Sequence, residues 1–243
     1  MKNKFLYQKQ SGELLYNFLM SDVSKESLRA DELLVLQRRK NMFTKNERNI
    51  THEFIACLNT YRTHASNTLR RSQSAMMQWV NAQLLLNDWL LKEKIPALGD
   101  LLHLNAMLTG KNKIFFRTQD IFTFGVKHPS PAELSTLMSR FFLWLNEALV
   151  KDPIYAAFMC RYFIVSVHPF SDANGRTSQL MADYFLLRNN YLPQIFFSRL
   201  EKLVVGNHET RSYMNPKRAF QRFIQTIVNA YDLSELYRCV KAD

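Results

Sequence analysis

A mainly α-helical fold is predicted by three observations. Apolar residues recur at three- and four-residue spacing over most of the chain, no Gly or Pro interrupts the stretch from Thr44 to Trp89, and only the segment between Lys111 and Pro129 is rich in β-branched and aromatic residues. With 47% of its 243 residues apolar, the chain has material for a large core and does not read as disordered or low-complexity.

The elements follow in order. Lys25 to Gln37 is rich in helix formers and is preceded by Ser24, a residue able to cap a helix. Between Thr44 and Trp89, Phe54, Cys57, Leu58 and Tyr61 share a helical face, and the stretch reads as two helices with a break near Arg71. Pro96 suits the first turn of a helix that stops at Gly110. The aromatic run Ile114 to Gly125 reads as a short β-hairpin. Leu134 to Val150 and Pro153 to Val165 are again helical, another helix opens at Asn174 and ends near Asn189, and a last one occupies Pro216 to Tyr231. No internal repeat or linker-like stretch divides the chain. The expected organisation is an N-terminal helical region, residues 1–92, packed with a core of residues 93–243 as one compact domain.

Composition narrows the classes of function. Three cysteines lie far apart with no paired spacing, so neither a disulfide framework nor a zinc site is indicated. No apolar run is long enough to span a membrane, and the basic start is not followed by a signal-type apolar stretch. A cytoplasmic protein with no membrane partner is expected, and delivery into another cell as a toxin or effector is compatible with this. A net charge of +11 favours acidic partners, from nucleotides to nucleic acid, anionic lipid or acidic proteins, and does not choose among them. The clusters Arg38-Arg39-Lys40, Arg70-Arg71 and Lys217-Arg218 accompany no nucleic-acid motif, which puts nucleic acid last among the partner classes.

The chemistry lies in His168-Pro169-Phe170-Ser171-Asp172-Ala173-Asn174-Gly175-Arg176-Thr177-Ser178-Gln179, between two predicted helices. An Asn-Gly turn at a helix start exposes backbone N–H groups and the positive end of the helix dipole, which suits phosphate. Arg176 in the first turn offers two donors in a fixed fork, and Asp172 offers a hard oxygen ligand for Mg²⁺ on a polyphosphate. The ordinary pKa of a histidine, about 6.5, fits His168 as a general base toward an attacking hydroxyl, and Phe170 reads as the anchor of the loop. A single histidine or a single Asn-Gly turn is most often structural. The order of the six residues is what distinguishes this segment.

That segment resembles the signature of Fic-domain proteins, HxFx(D/E)GNGRxxR, with His168, Phe170, Asp172, Asn174, Gly175 and Arg176 in register. The likeness spans roughly residues 95–200. It implies a Fic-type helical core with one short β-hairpin flap, and transfer of a nucleoside monophosphate, usually AMP from ATP, to a Ser, Thr or Tyr hydroxyl of a target protein. By position, the resemblance makes His168 the base and Asp172 the Mg²⁺ ligand. It makes Ala173, Asn174 and Gly175 the anion hole and Arg176 the clamp on the distal phosphates. The hairpin around Thr123, Phe124 and Gly125 resembles the family's target-holding flap, which pairs with an extended segment by main-chain hydrogen bonds. Tyr213 and Phe220 are weaker candidates for a base pocket.

Two positions depart from the signature. Ala173 replaces its first Gly, where a positive φ costs a methyl-bearing residue about 1 kcal/mol. Ala at this point resembles the kinase-like Doc branch and the phosphocholine-transferring branch, although Doc carries Lys where this chain has Gly175. Gln179 replaces the last Arg, which in the family meets the terminal phosphate, and a neutral amide makes no charge-assisted pair there. The family's inhibitory helix carries (S/T)xxxE(G/N). The nearest counterpart, Ser66 to Arg71, has Arg70 in place of Glu, so both partners of the inhibitory ion pair are absent together, and Arg70 could supply the charge that Gln179 lacks. No Glu-based brake is expected, which leaves room for a separate inhibitor protein. An AMP transferase is the leading reading. Phosphocholine or UMP transfer is the alternative within the class, a nucleotide-binding module without turnover is the second class, and a basic nucleic-acid-binding protein is the third.

Overall fold

The computed structural model describes residues 31–46, 58, 62, 66, 69, 71–123, 126–196 and 216–242. Seven helices and one hairpin occupy them: α1 (Asp31–Asn46), α2 (Gln73–Leu91), α3 (Leu98–Thr109), β1 (Phe122–Thr123), β2 (Val126–Lys127), α4 (Leu134–Lys151), α5 (Pro153–Val167), α6 (Asn174–Arg188) and α7 (Pro216–Ala242). A mainly helical fold with one short hairpin is therefore what the sequence forms.

The helix ends follow from local chemistry. Ser72 accepts a hydrogen bond from the Ala75 N–H and starts α2 at the predicted break near Arg71. Gly110, at φ +68°, ends α3 in the left-handed conformation that glycine adopts without a Cβ penalty. Asp152 caps α5 by accepting from the Tyr155 N–H at 3.0 Å, and Pro153 fills its first position, where no donor is needed.

Helix α5 is the axis of the molecule. Every residue from Ile154 to Val167 is buried, as a helix apolar on all sides requires. α4, α6 and α7 pack around it, and α2 lies on α3 and α6. Phe141 of α4 stacks on Phe163 at 4.2 Å, and Phe158 meets Phe220 of α7 edge-on. One hydrophobic cluster runs from Leu36, Leu58, Leu69 and Trp79 to Phe158, Leu180 and Ile227, so residues on both sides of position 92 share it. Outside this cluster, α1 is tied to α7 by Arg39, which bridges Asp232 and Glu235.

Some expectations need adjusting. The β-rich run forms a ladder only at Phe122↔Lys127 and Thr123↔Val126, and residues 111–121 form no strand; within that stretch Arg117 bonds to carbonyls at the end of α5. α7 extends eleven residues past Tyr231. The first helix is described from Asp31, so the expected start at Lys25 lies outside the described residues, as do Phe54, Cys57 and Tyr61. Phe220 is a core residue against Phe158 and Tyr213 is not described, so the base-pocket reading loses Phe220. Among the described residues, no helix is long and apolar enough to cross a membrane.

Candidate active site

The loop joining α5 to α6 is held by three buried polar side chains. His168 closes α5 at φ +52°, and Pro169 follows. Arg117 lies across that end, 5% exposed. Its backbone N–H donates to Pro169 O at 2.9 Å, Nε donates to His168 O at 2.8 Å, and the guanidinium also reaches the carbonyls of Gln119 and Pro129. A cation at a helix C-terminus is favoured by the dipole, so one side chain both caps α5 and fixes the irregular segment before β1. From α3, Asn105 donates to Asp172 O at 3.1 Å and to Thr177 Oγ1 at 2.9 Å. Asn174 accepts from Phe170 N–H at 2.9 Å and donates to Phe170 O at 2.7 Å, while the Phe170 ring is fully buried beside Phe116.

His168 is half-buried on one side of this loop. Its Nδ1 has only a long contact, 3.4 Å, to Val165 O. The face of its ring lies against His128, with centroids 4.6 Å apart and planes at 33°. Burial, with His128 and Arg117 adding positive field, pushes its pKa down to about 4, against the opposing pull of the Val165 carbonyl and Asp172. The imidazole is thus neutral near pH 7. With the proton on Nδ1 facing Val165 O, the Nε2 lone pair is available to take a proton.

On the other side lies the start of α6, the segment expected to hold phosphate. Ala173 takes φ +61°, so the methyl sits at the angle that the signature's glycine would adopt freely. Ala173 at the N-cap makes no side-chain cap bond, and by helix geometry the N–H groups of Asn174, Gly175 and Arg176 have no helical carbonyl partner four residues back. A Cβ built on Gly175 meets nothing within 4 Å, so the surface over this helix start is open. Asp172, whose side chain is 72% exposed, accepts from the Ala173 N–H and lies 3.5 Å from the Arg176 guanidinium. Arg176 also donates to Leu108 O at 3.0 Å, at the end of α3, and burial lowers its pKa against the pull of Asp172.

Gln179, one turn further along α6, is only 1% exposed, and among the described residues neither its Oε1 nor its Nε2 has a hydrogen-bond partner. It lies beneath this helix start, close to a buried polar layer in which Arg62 pairs with Asp183 and donates to Gln194 O at 3.1 Å. Gln194 also donates through its backbone N–H to Asp183 at 2.8 Å.

The structure thus gathers His168, Asp172, Ala173, Asn174, Gly175 and Arg176 around one loop and puts Gln179 below it. Thr123 lies on β1 with its hydroxyl bonded to His128, whereas Phe124, Gly125 and Arg70 are outside the described residues. Both polar ends of the Asn174 side chain bond to the backbone of Phe170 and hold the loop. Sequence reasoning missed Asn105, Arg117 and His128. A lone charge after Ile114-Phe115-Phe116 was a signal for Arg117. Asn105 gave none.

Residues 89–186 match the model of the Fic/DOC family. This part of the chain is a Fic domain. Of its relatives, the protein adenylyltransferase Fic of Culex quinquefasciatus is 39% identical over 129 residues, 50% of this chain and 24% of that protein. The chain therefore spans about a quarter of the length of the curated relatives it matches. Among solved structures, Fic-1 from C. elegans superposes with a TM-score of 0.64 at 20% identity, covering 98% of this chain and 79% of that one. IbpAFic2 in complex with adenylylated Cdc42 gives 0.60 at 16% identity, covering 86% and 70%. At such identities the structural likeness is one of fold.

Proposed function

We propose that this Fic domain transfers AMP, or another nucleoside monophosphate, from a nucleotide donor to a Ser, Thr or Tyr hydroxyl of a target protein. The observation that carries the reading is the placement of the half-buried His168 imidazole beside the N-terminus of α6, the two joined by one five-residue loop held by buried side chains. The adenylyltransferase names of the relatives and the adenylylated Cdc42 bound to IbpAFic2 support the same reaction class and a protein acceptor.

The amides of Asn174, Gly175 and Arg176 bind the donor's phosphates where negative charge grows during transfer, and they are oriented in advance by Asn105 and Asn174. The target hydroxyl attacks the α-phosphorus, its proton passes to His168 Nε2, and the bond to the leaving pyrophosphate breaks. Arg176, clamped on Leu108 O, presents positive charge to the distal phosphates. The hairpin edge at Thr123 holds the target segment extended.

Among the described residues, no three His, Cys, Asp or Glu groups converge on one point. A lone exposed carboxylate beside a phosphate cradle nevertheless fits Mg²⁺, which takes one or two carboxylates and completes its shell with water and substrate oxygens. Asp172 would hold it, and the ion would neutralise charge on the donor's phosphates.

A second donor class is favoured by one feature. Position 179 offers a neutral buried amide and no charge for a terminal phosphate, which suits a diphosphate-linked donor such as CDP-choline. Control by a separate inhibitor protein belongs to the same proposal, since the sequence carries Arg70 where the inhibitory Glu would stand. Intact-mass spectrometry of the protein and of its His168→Ala variant after incubation with Mg²⁺ and ATP, UTP, GTP or CDP-choline tests the proposal. A mass gain with one donor, absent in the variant, is expected; an equal gain in both proteins overturns it.

A further inference from the structure

We infer that His128 is a positioning residue for His168 and couples the hairpin flap to the base, an inference that rests on the transferase reading above. A histidine base normally has its second ring nitrogen fixed by a good acceptor, which sets both tautomer and ring angle. His168 has no such acceptor: its Nδ1 contact to Val165 O is 3.4 Å, at the weak limit of a hydrogen bond, and among the described residues no carboxylate bonds to it. What defines its ring plane is the face of His128, 4.6 Å away.

His128 is itself held at both ring nitrogens and at its backbone N–H. It is 3% exposed; Nδ1 faces Ser166 O at 2.7 Å, Nε2 meets the Thr123 hydroxyl, and the backbone N–H donates to Ile121 O at 3.1 Å. A carbonyl only accepts, so Nδ1 carries the proton, and in the neutral ring Nε2 then accepts from the Thr123 O–H. The ring spans from the last turn of α5 to strand β1. A target segment docked on the hairpin edge, by restraining Thr123, restrains His128 and through it the imidazole that must face the attacking hydroxyl. The arrangement ties the acceptor's seat to the base's alignment, and a base displaced by about 1 Å loses roughly a hundredfold in rate.

Two readouts test this in the full chain. Steady-state transfer, with the donor found active for the wild type, is expected to show kcat lowered about a hundredfold in His128→Ala with the donor KM changed less than about twofold. His128→Phe, which restores a ring face without the two ring hydrogen bonds, should recover part of that loss, and Thr123→Val, on a half-buried strand residue, should lower kcat severalfold. Independently of turnover, long-range ¹H–¹⁵N spectra of the histidine side chains should show His128 protonated on Nδ1, and the His168 ring signals should shift and broaden in His128→Ala. Unchanged His168 signals in a folded His128→Ala protein, or kcat within twofold of wild type, overturns the inference. If the wild type transfers nothing, it is the transferase reading that fails, and the spectra still decide whether His128 orients His168.

Discussion

At the scale of single residues, Gly175 separates what the fold wants from what the site wants. It lies in the first turn of α6 with an ordinary helical φ, and nothing stands within 4 Å of the Cβ it lacks. Glycine in a helix costs up to about 1 kcal/mol relative to alanine. Gly175→Ala is therefore expected to raise stability by a fraction of that amount in urea unfolding, and to weaken donor binding by about tenfold because the methyl projects over the amides. Equal donor affinity in the variant, measured by calorimetric titration, would remove the cradle's amides from the account. Ala173 and Gln179 were legible as departures from the signature. Their consequences were not, because whether an alanine accepts φ +61° and whether a glutamine is buried without partners depends on neighbours far along the chain.

At the scale of elements, helix ends were readable where the signal is local: Gly110 ends α3 and Pro153 opens α5 within one turn, whereas the caps Ser72 and Asp152 were not singled out. The run from Ile114 to Gly125 reads as a hairpin because its aromatic content suits a pleated surface; of its described residues only Phe122 and Thr123 pair as strand, while Arg117 bonds to carbonyls at the end of α5. Arg117 is the residue that makes this exchange. Removing it leaves the carbonyls of His168, Gln119 and Pro129 short of a donor and takes away a cation favoured by the α5 dipole. Arg117→Ala is expected to destabilise the protein by about 2–4 kcal/mol, seen as a lower urea midpoint at unchanged slope. Loss of under about 0.5 kcal/mol would mean that the segment is held by Phe116 and Phe170 alone.

At the scale of the whole molecule, one buried ion pair connects the N-terminal part of the chain to the Fic domain. Arg62 meets Asp183 of α6, one turn beyond Gln179, and Asp183 is nearly inaccessible. Burial pushes the Asp183 carboxyl upward in pKa, while Arg62, Gln194 and Arg161 pull it back. Arg62→Ala strips a buried carboxylate of its direct partner and should cost about 3–5 kcal/mol, detectable as a lower thermal midpoint. Asp183→Asn together with Arg62→Met should cost much less, since replacing both charges leaves neither one unpaired. No sequence signal announced this pair, because its members are 121 positions apart and only the packing of α6 brings them together.

In the proposed division of labour, His168 takes the proton while the start of α6 binds the donor. Measuring both on the same two proteins tests it most directly: transfer of label from α-labelled ATP, or from the donor that the mass survey selects, and equilibrium binding of that donor, for wild type and His168→Ala. Transfer is expected to fall by at least about a hundredfold in the variant, with affinity kept within a few fold. Transfer that persists without the imidazole, or donor binding that vanishes with it, would contradict this division of labour.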